Sequence, residues 1–360
     1  MKAVHIFTHT DADGKFSGSL MYEYFKRYRN DVDKYFIHPI DYTTIIDIDV
    51  KPEDVITFTD YSFSNNDNLE YFYNLIKDGH EVIWIDHHAS SEKIIQTDTF
   101  LNYVACYYDI FTFIINTSHC AAWLTYEYLY YKIIDANILE PELPHITIPD
   151  IIKYVNSNDI WALDMPKTEE FSYGLSCINY TAKNAIRTMF NHNKDLDIFD
   201  YNKKVAHAEL QFINNIISKG EIIKQYKDIS NNLLRKSIGF KFTINDETTR
   251  KVYKCFAMNT QGNSRIFGDY INKYDIICSF YKTSNGVWKY SLFSSTNDKD
   301  GPDCSYIASI FGGIDRLGGG GHMKAAGFQT KECIFDNYNS FDIRRSLFSK
   351  KYCLYGFYKR

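Results

Sequence analysis

The chain lacks the features that mark a membrane protein, a disulfide-stabilised domain or a general duplex-binding protein. No uninterrupted apolar stretch reaches the roughly 20 residues that span a bilayer, and the first residues show no charged leader followed by an apolar signal segment. The eight cysteines form no Cys-x-x-Cys pair, a pattern that favours scattered thiols in a reducing compartment over a zinc-thiolate site. A formal net charge of −5 argues against non-specific binding of duplexes. We therefore expect a cytoplasmic protein without a membrane partner.

Short apolar runs alternate with helical spacings in the first half of the chain. The runs Val4–Thr8, Val55–Thr59 and Val82–Ile85 are typical of buried parallel strands. Apolar residues spaced by four predict a helix over residues 14–28. This order predicts an α/β fold with a doubly wound parallel sheet.

The length of 360 residues favours a second domain. We expect a doubly wound parallel-sheet domain over residues 1–190, joined by a helical linker over 191–229 to a smaller α/β domain over 230–332. A C-terminal tail over 333–360 has no predicted partner.

Aspartate and histidine residues follow each of the three apolar runs. His9, Asp11 and Asp13 follow the first run, Asp60 follows the second, and Asp86-His87-His88 follow the third. In open α/β sheets ligands bind beyond the carboxyl ends of the strands, so these seven side chains are expected at one edge of one sheet. Because clustered carboxylates repel one another unless cations neutralise them, the sequence predicts a metal site.

These clusters, with a glycine-rich segment near the C-terminus, resemble the motifs of the DHH phosphoesterase family. The segment from His9 to Gly14 is similar to the first family motif, Asp60 to the second, and Asp86-His87-His88 to the signature triplet. Asp159, before Ile-Trp, resembles the fourth motif. The segment Gly318–Phe328 resembles an element of the branch with a DHH-associated C-terminal domain, which includes RecJ-type exonucleases and nanoRNases. The resemblance covers roughly residues 1–330.

The resemblance implies two divalent cations. Six residues would ligate them, in two sets that share Asp60: His9, Asp11 and Asp60 for one ion, and Asp13, Asp60, His87 and Asp159 for the other. The mixture of carboxylate and imidazole donors favours manganese, with magnesium as the alternative. Two such ions about 3.5–4 Å apart activate a water and clamp a phosphate.

The candidate catalytic residues are Asp60, Asp86 and His88. Asp86 is expected to orient a histidine ring, and His88 to face the substrate phosphate and stabilise the transition state. Helix N-capping is the alternative role for Asp11 and Asp13, and a turn-forming role is the alternative for Asp159.

The candidate nucleotide-binding residues of the second domain are Gly319, Gly320, Gly321, His322, Ser264 and Arg265. Glycines let backbone N–H groups approach an anion closely, and a guanidinium suits a terminal phosphate. A tight loop that requires positive φ is the alternative explanation for two of the glycines.

The resemblance implies a two-metal phosphodiesterase that hydrolyses short single-stranded RNA or DNA, as a nanoRNase or exonuclease does. Two alternatives stay open: a phosphatase or esterase of 3′-phosphoadenosine 5′-phosphate or of linear or cyclic dinucleotides, and a non-catalytic, metal-dependent nucleotide-binding protein. Both a monomer and a homodimer are compatible with the sequence.

Overall fold

The chain folds into two compact units, residues 1–224 and residues 225–360. The computed structural model describes residues 2–42, 44–63, 65–135, 146–247, 249–294, 301–315, 317–336, 338–344 and 353–358. Helix α9 (Lys203–Ile238) begins in the first unit and ends in the second. It starts later and ends later than the helical linker expected from the sequence, and strand β6 follows it without a break.

The first unit contains a sheet of five parallel strands. In chain order they are β1 (Ala3–His9), β2 (Lys34–Ile40), β3 (Val55–Thr59), β4 (Glu81–Asp86) and β5 (Phe111–Ile115). Their order in the sheet is β2-β1-β3-β4-β5, and every neighbouring pair is parallel. The predicted parallel sheet is therefore confirmed.

Helices cover both faces of this sheet. They are α1 (Ala12–Tyr28), α2 (Asn66–Lys77), α3 (Ala89–Ile95), α4 (Asp98–Tyr107), α5 (Ala121–Asp135), α6 (Asp150–Asp159), α7 (Thr168–Leu175) and α8 (Ala185–Met189). On one face, Val4 and Ile6 of β1 share a buried cluster with Leu20 of α1. On the other face, Phe58 of β3 shares a cluster with Phe72 of α2. Strands buried on both faces explain the continuous apolar runs in the sequence.

The second unit is built on a mixed sheet of eight strands. They are β6 (Gly239–Asp246), β7 (Lys251–Asn259), β8 (Ile276–Lys282), β9 (Trp288–Phe293), β10 (Gly319–His322), β11 (Ala325–Thr330), β12 (Tyr338–Arg344) and β13 (Cys353–Tyr358). The sheet order is β10-β11-β9-β8-β7-β6-β12-β13. The pairs β7–β8 and β6–β12 are parallel, and the other pairs are antiparallel.

Helix α10 (Cys304–Gly313) and the 3₁₀ helix Ser264–Asn272 complete this unit. Four buried cysteines, all free thiols, lie in or beside its core: Cys255, Cys278, Cys304 and Cys333. Within the described part of the chain, no helix combines the length and the apolarity needed to cross a bilayer.

Candidate metal centre

Three neighbouring strands of the first sheet end in the same row. Thr8 of β1 pairs with Thr59 of β3, and Thr59 pairs with Ile85 of β4. The residues that follow, His9, Asp60 and Asp86, therefore lie side by side beyond the carboxyl ends of these strands. This is the edge at which open α/β sheets bind ligands.

Asp60 leaves its strand in an uncommon backbone conformation. Its φ of 56° lies in the left-handed region, which is unfavourable for residues with a Cβ but tolerated by aspartate and asparagine. A hydrogen bond from its backbone N–H to the carbonyl oxygen of Ile85, 3.0 Å long, holds this conformation. The carboxylate is buried, with 1% of the residue exposed. Strained residues of this kind cluster at functional sites.

The first group of candidate ligand atoms comes from His9, Asp11 and Asp60, whose nitrogen and oxygen atoms all lie within 4.8 Å of one another. Nδ1 of His9 is 3.0 Å from Oδ2 of Asp11 and 3.6 Å from Oδ2 of Asp60. Neither of these two contacts is a hydrogen bond. The His9 Nδ1 and Asp60 Oδ2 atoms are both buried and have no hydrogen-bond partner among the described residues. Interactions with Asp11 and then with Asp60 raise the pKa of His9 to about 10.

The second group comes from Asp13, His87 and Asp159. Nε2 of His87 is 3.2 Å from Oδ2 of Asp159, 3.7 Å from Oδ2 of Asp13 and 3.3 Å from Oδ1 of Asp60. Asp159 is the last residue of α6, so a helix end rather than a loop carries it to the site. Asp60 therefore presents one carboxylate oxygen to each group, as a carboxylate shared by two cations must.

Asp11 and Asp13 also cap helices. The carboxylate of Asp11 accepts a hydrogen bond of 2.9 Å from the backbone N–H of Gly14 at the start of α1. The two oxygens of Asp13 accept hydrogen bonds of 2.8 and 2.7 Å from the N–H groups of Ala121 and Ala122 at the start of α5. Each carboxylate oxygen has a second lone pair, so capping and metal ligation are compatible at both residues.

Asp86 holds His88 in a defined orientation. Its Oδ1 atom lies 2.7 Å from Nδ1 of His88, and its other oxygen accepts a hydrogen bond from the hydroxyl of Ser91. Burial opposes the charged form of His88, but the carboxylate of Asp86 outweighs it and raises the pKa of His88 to about 9. Asp86 thus orients the ring and stabilises its proton.

Tyr42 belongs to the site but is not among the residues predicted from the sequence. Its hydroxyl oxygen lies 2.9 Å from Nε2 of His88, and its ring lies 5.3 Å from the ring of His9 and stacks on Tyr61 at 5.7 Å. Tyr42 follows β2, the neighbour of β1 in the sheet. The sequence signal for Tyr42 is its position just after a fourth strand, whose carboxyl end lies at the same edge of the sheet.

We expect Tyr42→Phe to lower kcat/KM about three- to ten-fold, because it removes one hydrogen bond from His88, worth roughly 0.5–1.5 kcal/mol, and keeps the stacked ring. Steady-state kinetics on a short oligonucleotide, the substrate that the sequence resemblance implies, measures this. Tyr61→Phe is the matched control, since the Tyr61 hydroxyl accepts a hydrogen bond from Asn68 rather than from a site residue. Equal losses in both variants would contradict a role for the Tyr42 hydroxyl at His88.

The electrostatics of the cluster suit divalent cations. Burial, followed by neighbouring carboxylates, raises the pKa of Asp13 and of Asp60 well above the ordinary range. Burial and the charge of Asp13 raise the pKa of Asp159 to about 7. A group of carboxylates that resists ionisation to this degree is stabilised when cations replace the protons. The donors are carboxylate oxygens and imidazole nitrogens, both of which are common ligands of divalent cations.

The candidate residues of the second unit lie in a strand and a 3₁₀ helix. Gly319, Gly320 and Gly321 belong to β10, at the edge of the sheet, and pair with β11. Ser264 and Arg265 open the 3₁₀ helix, where the Asn263 side chain accepts a hydrogen bond from the N–H of Arg265. The side chain of His322 lies outside the described residues.

Two of the glycines of β10 differ in their surroundings. A Cβ at Gly319 would lie 2.0 Å from the carbonyl oxygen of Ala308 in α10, so close packing of helix on strand requires glycine there. A Cβ at Gly320 would meet no atom within 4 Å. Packing therefore explains Gly319 and leaves Gly320 without a steric reason. Gly318 and Gly321 have positive φ values of 83° and 143°.

Part of the first unit matches the sequence model of a known family. Residues 3–148 match the model described as the DHH family, N-terminal domain. This segment is similar to the N-terminal domain of the DHH family. The match includes every ligand candidate except Asp159, and it ends before the second unit. The name is that of the triplet Asp86-His87-His88 at the end of β4.

No curated protein matches the sequence, but several solved structures resemble it. An uncharacterised protein from Helicobacter pylori G27 is 16% identical, with 92% of this chain and 94% of that chain covered and a TM-score of 0.34. The pGpG-specific phosphodiesterase PggH from Vibrio cholerae is 14% identical, with coverages of 91% and 92% and a TM-score of 0.42. RecJ from Thermus thermophilus, in complex with Mn²⁺, is 13% identical, with coverages of 91% and 49% and a TM-score of 0.43. These scores are too low to carry a function from one protein to another.

Proposed function

We propose that the protein is a phosphodiesterase that uses two divalent cations, preferably manganese, to hydrolyse short single-stranded oligonucleotides. The observation that carries the proposal is the position of Asp60 between two groups of ligand atoms, with Oδ2 beside His9 and Oδ1 beside His87. His9, Asp11 and Asp60 would hold one cation, and Asp13, Asp60, His87 and Asp159 the other.

When bound, a pair of divalent cations supplies a nucleophilic water at neutral pH and neutralises charge on the phosphate. The protein contributes ligands that are fixed in advance. Asp11 and Asp13 are held by backbone N–H groups of two helices, and Asp60 is held by its backbone hydrogen bond to Ile85. Ligands fixed in this way lose little freedom when the substrate binds, which is a condition for efficient positioning.

His88 is the candidate for stabilising charge on the reacting phosphate. Asp86 holds Nδ1, so the only other ring nitrogen, Nε2, is the one available to a ligand, and it now contacts Tyr42. The raised pKa of His88 keeps both nitrogens as donors. Bound cations would lower this pKa, which would bring it closer to the range useful for proton donation.

Two features support a short, single-stranded substrate. The net charge of −5 does not favour duplex binding, and the edge strand β10 contains Gly320, where backbone groups are open to approach by a ligand. We assign nucleotide binding to β10 together with Ser264 and Arg265.

A hydrolysis panel with added manganese tests the proposal. It contains RNA and DNA of two to ten nucleotides, 3′-phosphoadenosine 5′-phosphate, a cyclic dinucleotide and pyrophosphate. We expect turnover of the oligonucleotides, loss of turnover with a chelator, and recovery when manganese is restored. Turnover of 3′-phosphoadenosine 5′-phosphate or the cyclic dinucleotide alone would contradict the oligonucleotide assignment. Metal-dependent binding without turnover of any compound would contradict the enzymatic assignment.

A matched pair of glycine variants separates packing from ligand binding in β10. Gly319→Ala should lower the unfolding temperature by several degrees, since its Cβ would overlap the carbonyl oxygen of Ala308 and overpacking costs about 1–3 kcal/mol. Gly320→Ala should fold normally and raise KM for oligonucleotides several-fold. Thermal unfolding and kinetics on the two variants test this. An unchanged KM in Gly320→Ala would remove β10 from the binding site.

A further inference from the structure

A basic cleft lies on the first unit, away from the ligand residues of the metal centre. It has a volume of about 370 Å³ and lies between the C-terminal half of α1 and residues 183–194. Five cationic side chains line it, against the single carboxylate of Glu23: Lys26, Arg27, Lys183, Arg187 and Lys194. Such a concentration of positive charge is unusual in a chain whose net charge is −5, and the volume lies within the range of ligand-binding pockets.

The two arginines of the cleft have structural partners. Nε of Arg27 and Nε of Arg187 lie 3.1 and 2.7 Å from the carboxylate of Glu23, which is almost fully buried. Both guanidinium groups also donate to the carbonyl oxygen of Leu196. Arg27 and Arg187 therefore hold the wall of the cleft together, and the free positive charge comes from the lysines.

The three lysines make weaker contacts than the arginines, such as the 3.5 Å hydrogen bond from the ammonium group of Lys26 to the hydroxyl of Tyr22. Among the described residues, Lys26, Lys183 and Lys194 form no ion pair with a carboxylate, and all three are exposed. The ammonium groups of Lys26 and Lys183 lie 5.3 and 5.8 Å from the centre of the Tyr22 ring. Two ammonium groups beside one ring repel each other, and an anion between them would relieve that repulsion.

The wall of the cleft has a strained backbone. Asn191 and His192 are consecutive residues with φ values of 49° and 60°, in the left-handed region that costs roughly 1–3 kcal/mol per non-glycine residue. The N–H of His192 donates to the carbonyl oxygen of Arg187 over 2.7 Å, which closes the loop. Strain of this kind persists where the surroundings fix a functional arrangement.

A row of lysine and tyrosine side chains leads from the metal centre to the cleft. Lys15 is two residues from Asp13, and its ammonium group lies 4.9 Å from the centre of the Tyr180 ring. Lys15 and Lys26 are eleven residues apart on α1, which places them on one side of the helix with an axial separation of about 16 Å. The N–H of Ile186 donates to the hydroxyl of Ser19 over 3.1 Å, which holds the segment of Lys183 against the same helix.

We propose that this row and the cleft bind the phosphates of an oligonucleotide beyond the bond that is cleaved, with Lys26, Lys183 and Lys194 as the phosphate-binding residues. The inference rests on the proposed function. A groove of positive charge that follows the backbone is the usual surface for single-stranded nucleic acid, because cationic side chains bind successive phosphates. Lys26 lies thirteen residues beyond Asp13 on α1, about 20 Å along the helix axis, a distance that a hexanucleotide can span and a dinucleotide cannot. The cleft therefore gives the enzyme a preference for length.

The triple variant K26Q/K183Q/K194Q tests the proposal, and K34Q/K51Q/K77Q is the matched control. The control lysines are exposed residues of the same unit, so both variants lose the same charge. We expect the cleft variant to lose about tenfold or more in kcat/KM for a hexanucleotide and to hydrolyse a dinucleotide within twofold of the unaltered protein. For the hexanucleotide, the slope of log(kcat/KM) against log[salt] should be less negative by about 2 in the cleft variant. Each of the three lost phosphate contacts accounts for roughly 0.7 of that slope.

Failure of the inference can be separated from failure of the proposed function. The cleft does not bind the strand if the unaltered protein hydrolyses both substrates and the cleft variant loses kcat/KM equally on both. The same conclusion follows if its loss of kcat/KM on the hexanucleotide is no larger than that of the control variant. If the unaltered protein hydrolyses neither substrate, the proposed function itself fails. Inorganic pyrophosphate distinguishes a second source of phosphate: if it changes dinucleotide turnover in the unaltered protein and not in the cleft variant, the cleft binds a small anion, and the strand assignment is overturned.

Discussion

Asp60→Asn should abolish turnover of every substrate, with a loss of at least about 10³-fold in kcat. The carboxylate lies between both groups of ligand atoms, so its replacement removes negative charge from both cation sites at once. Asparagine is the sharpest replacement, because it matches aspartate in size and also tolerates the left-handed backbone of this residue. Alanine would add strain of its own at a φ of 56°.

The same variant should lose its stabilisation by manganese. A ligand at one hundred times its Kd stabilises a folded protein by about 2.7 kcal/mol, so manganese should raise the unfolding temperature of the unaltered protein and have little effect on Asp60→Asn. Without metal, the variant should be at least as stable as the unaltered protein, because burial and neighbouring carboxylates disfavour the charge that it removes. Differential scanning calorimetry with and without manganese measures both effects.

Asp109→Asn provides the control, since Asp109 is an exposed residue in the turn before β5. It should behave as the unaltered protein in both assays. Retained turnover in Asp60→Asn would refute the two-cation model, and a full manganese shift in that variant would show that Asp60 is not a ligand.

His88→Ala should lower kcat by about 10²–10³-fold on all substrates, the usual cost of removing a donor to the charge that develops in the transition state. Its manganese shift should be nearly that of the unaltered protein, because the proposed role of His88 is toward the phosphate and not the cations. The contrast with Asp60→Asn lies in this second measurement. Kinetics on a dinucleotide and calorimetry with manganese together make the test.

His207→Ala is the matched histidine control, because His207 is exposed on α9 and contacts Gln211. A His88→Ala protein that no longer responds to manganese would identify His88 as a ligand. A protein with unchanged kcat would leave His88 without a part in the reaction.

Much of the first unit could be predicted from the sequence because its strands are buried on both faces. That burial produces continuous apolar runs, and the polar residues that follow each run must lie at the same edge of the sheet. The pairing of Thr8 with Thr59 and of Thr59 with Ile85 then places the residues that follow them side by side. The clusters at His9, Asp60 and Asp86 needed no tertiary information to be found.

The parts that could not be predicted depend on long-range contacts. Tyr42 carries no acidic or imidazole group, and only the position of β2 beside β1 shows that it reaches His88. The bonds of Asp13 to Ala121 and Ala122 join residues more than one hundred positions apart. The glycines of β10 form one strand of a hairpin with β11. A run of glycines does not distinguish such a strand from an anion-binding loop or a tight turn, because close packing against α10 and positive φ both require glycine.

Two helix N-termini point their backbone N–H groups at the carboxylates of Asp11 and Asp13. Each such terminus carries about half a positive charge, so the fold itself neutralises part of the acidic cluster. We infer that the chain can reach its native structure first and acquire its ions afterwards, rather than requiring metal as a folding partner. Metal binding would then depend on the concentration of ions around the folded protein, and removal of the ions would leave the protein inactive but folded.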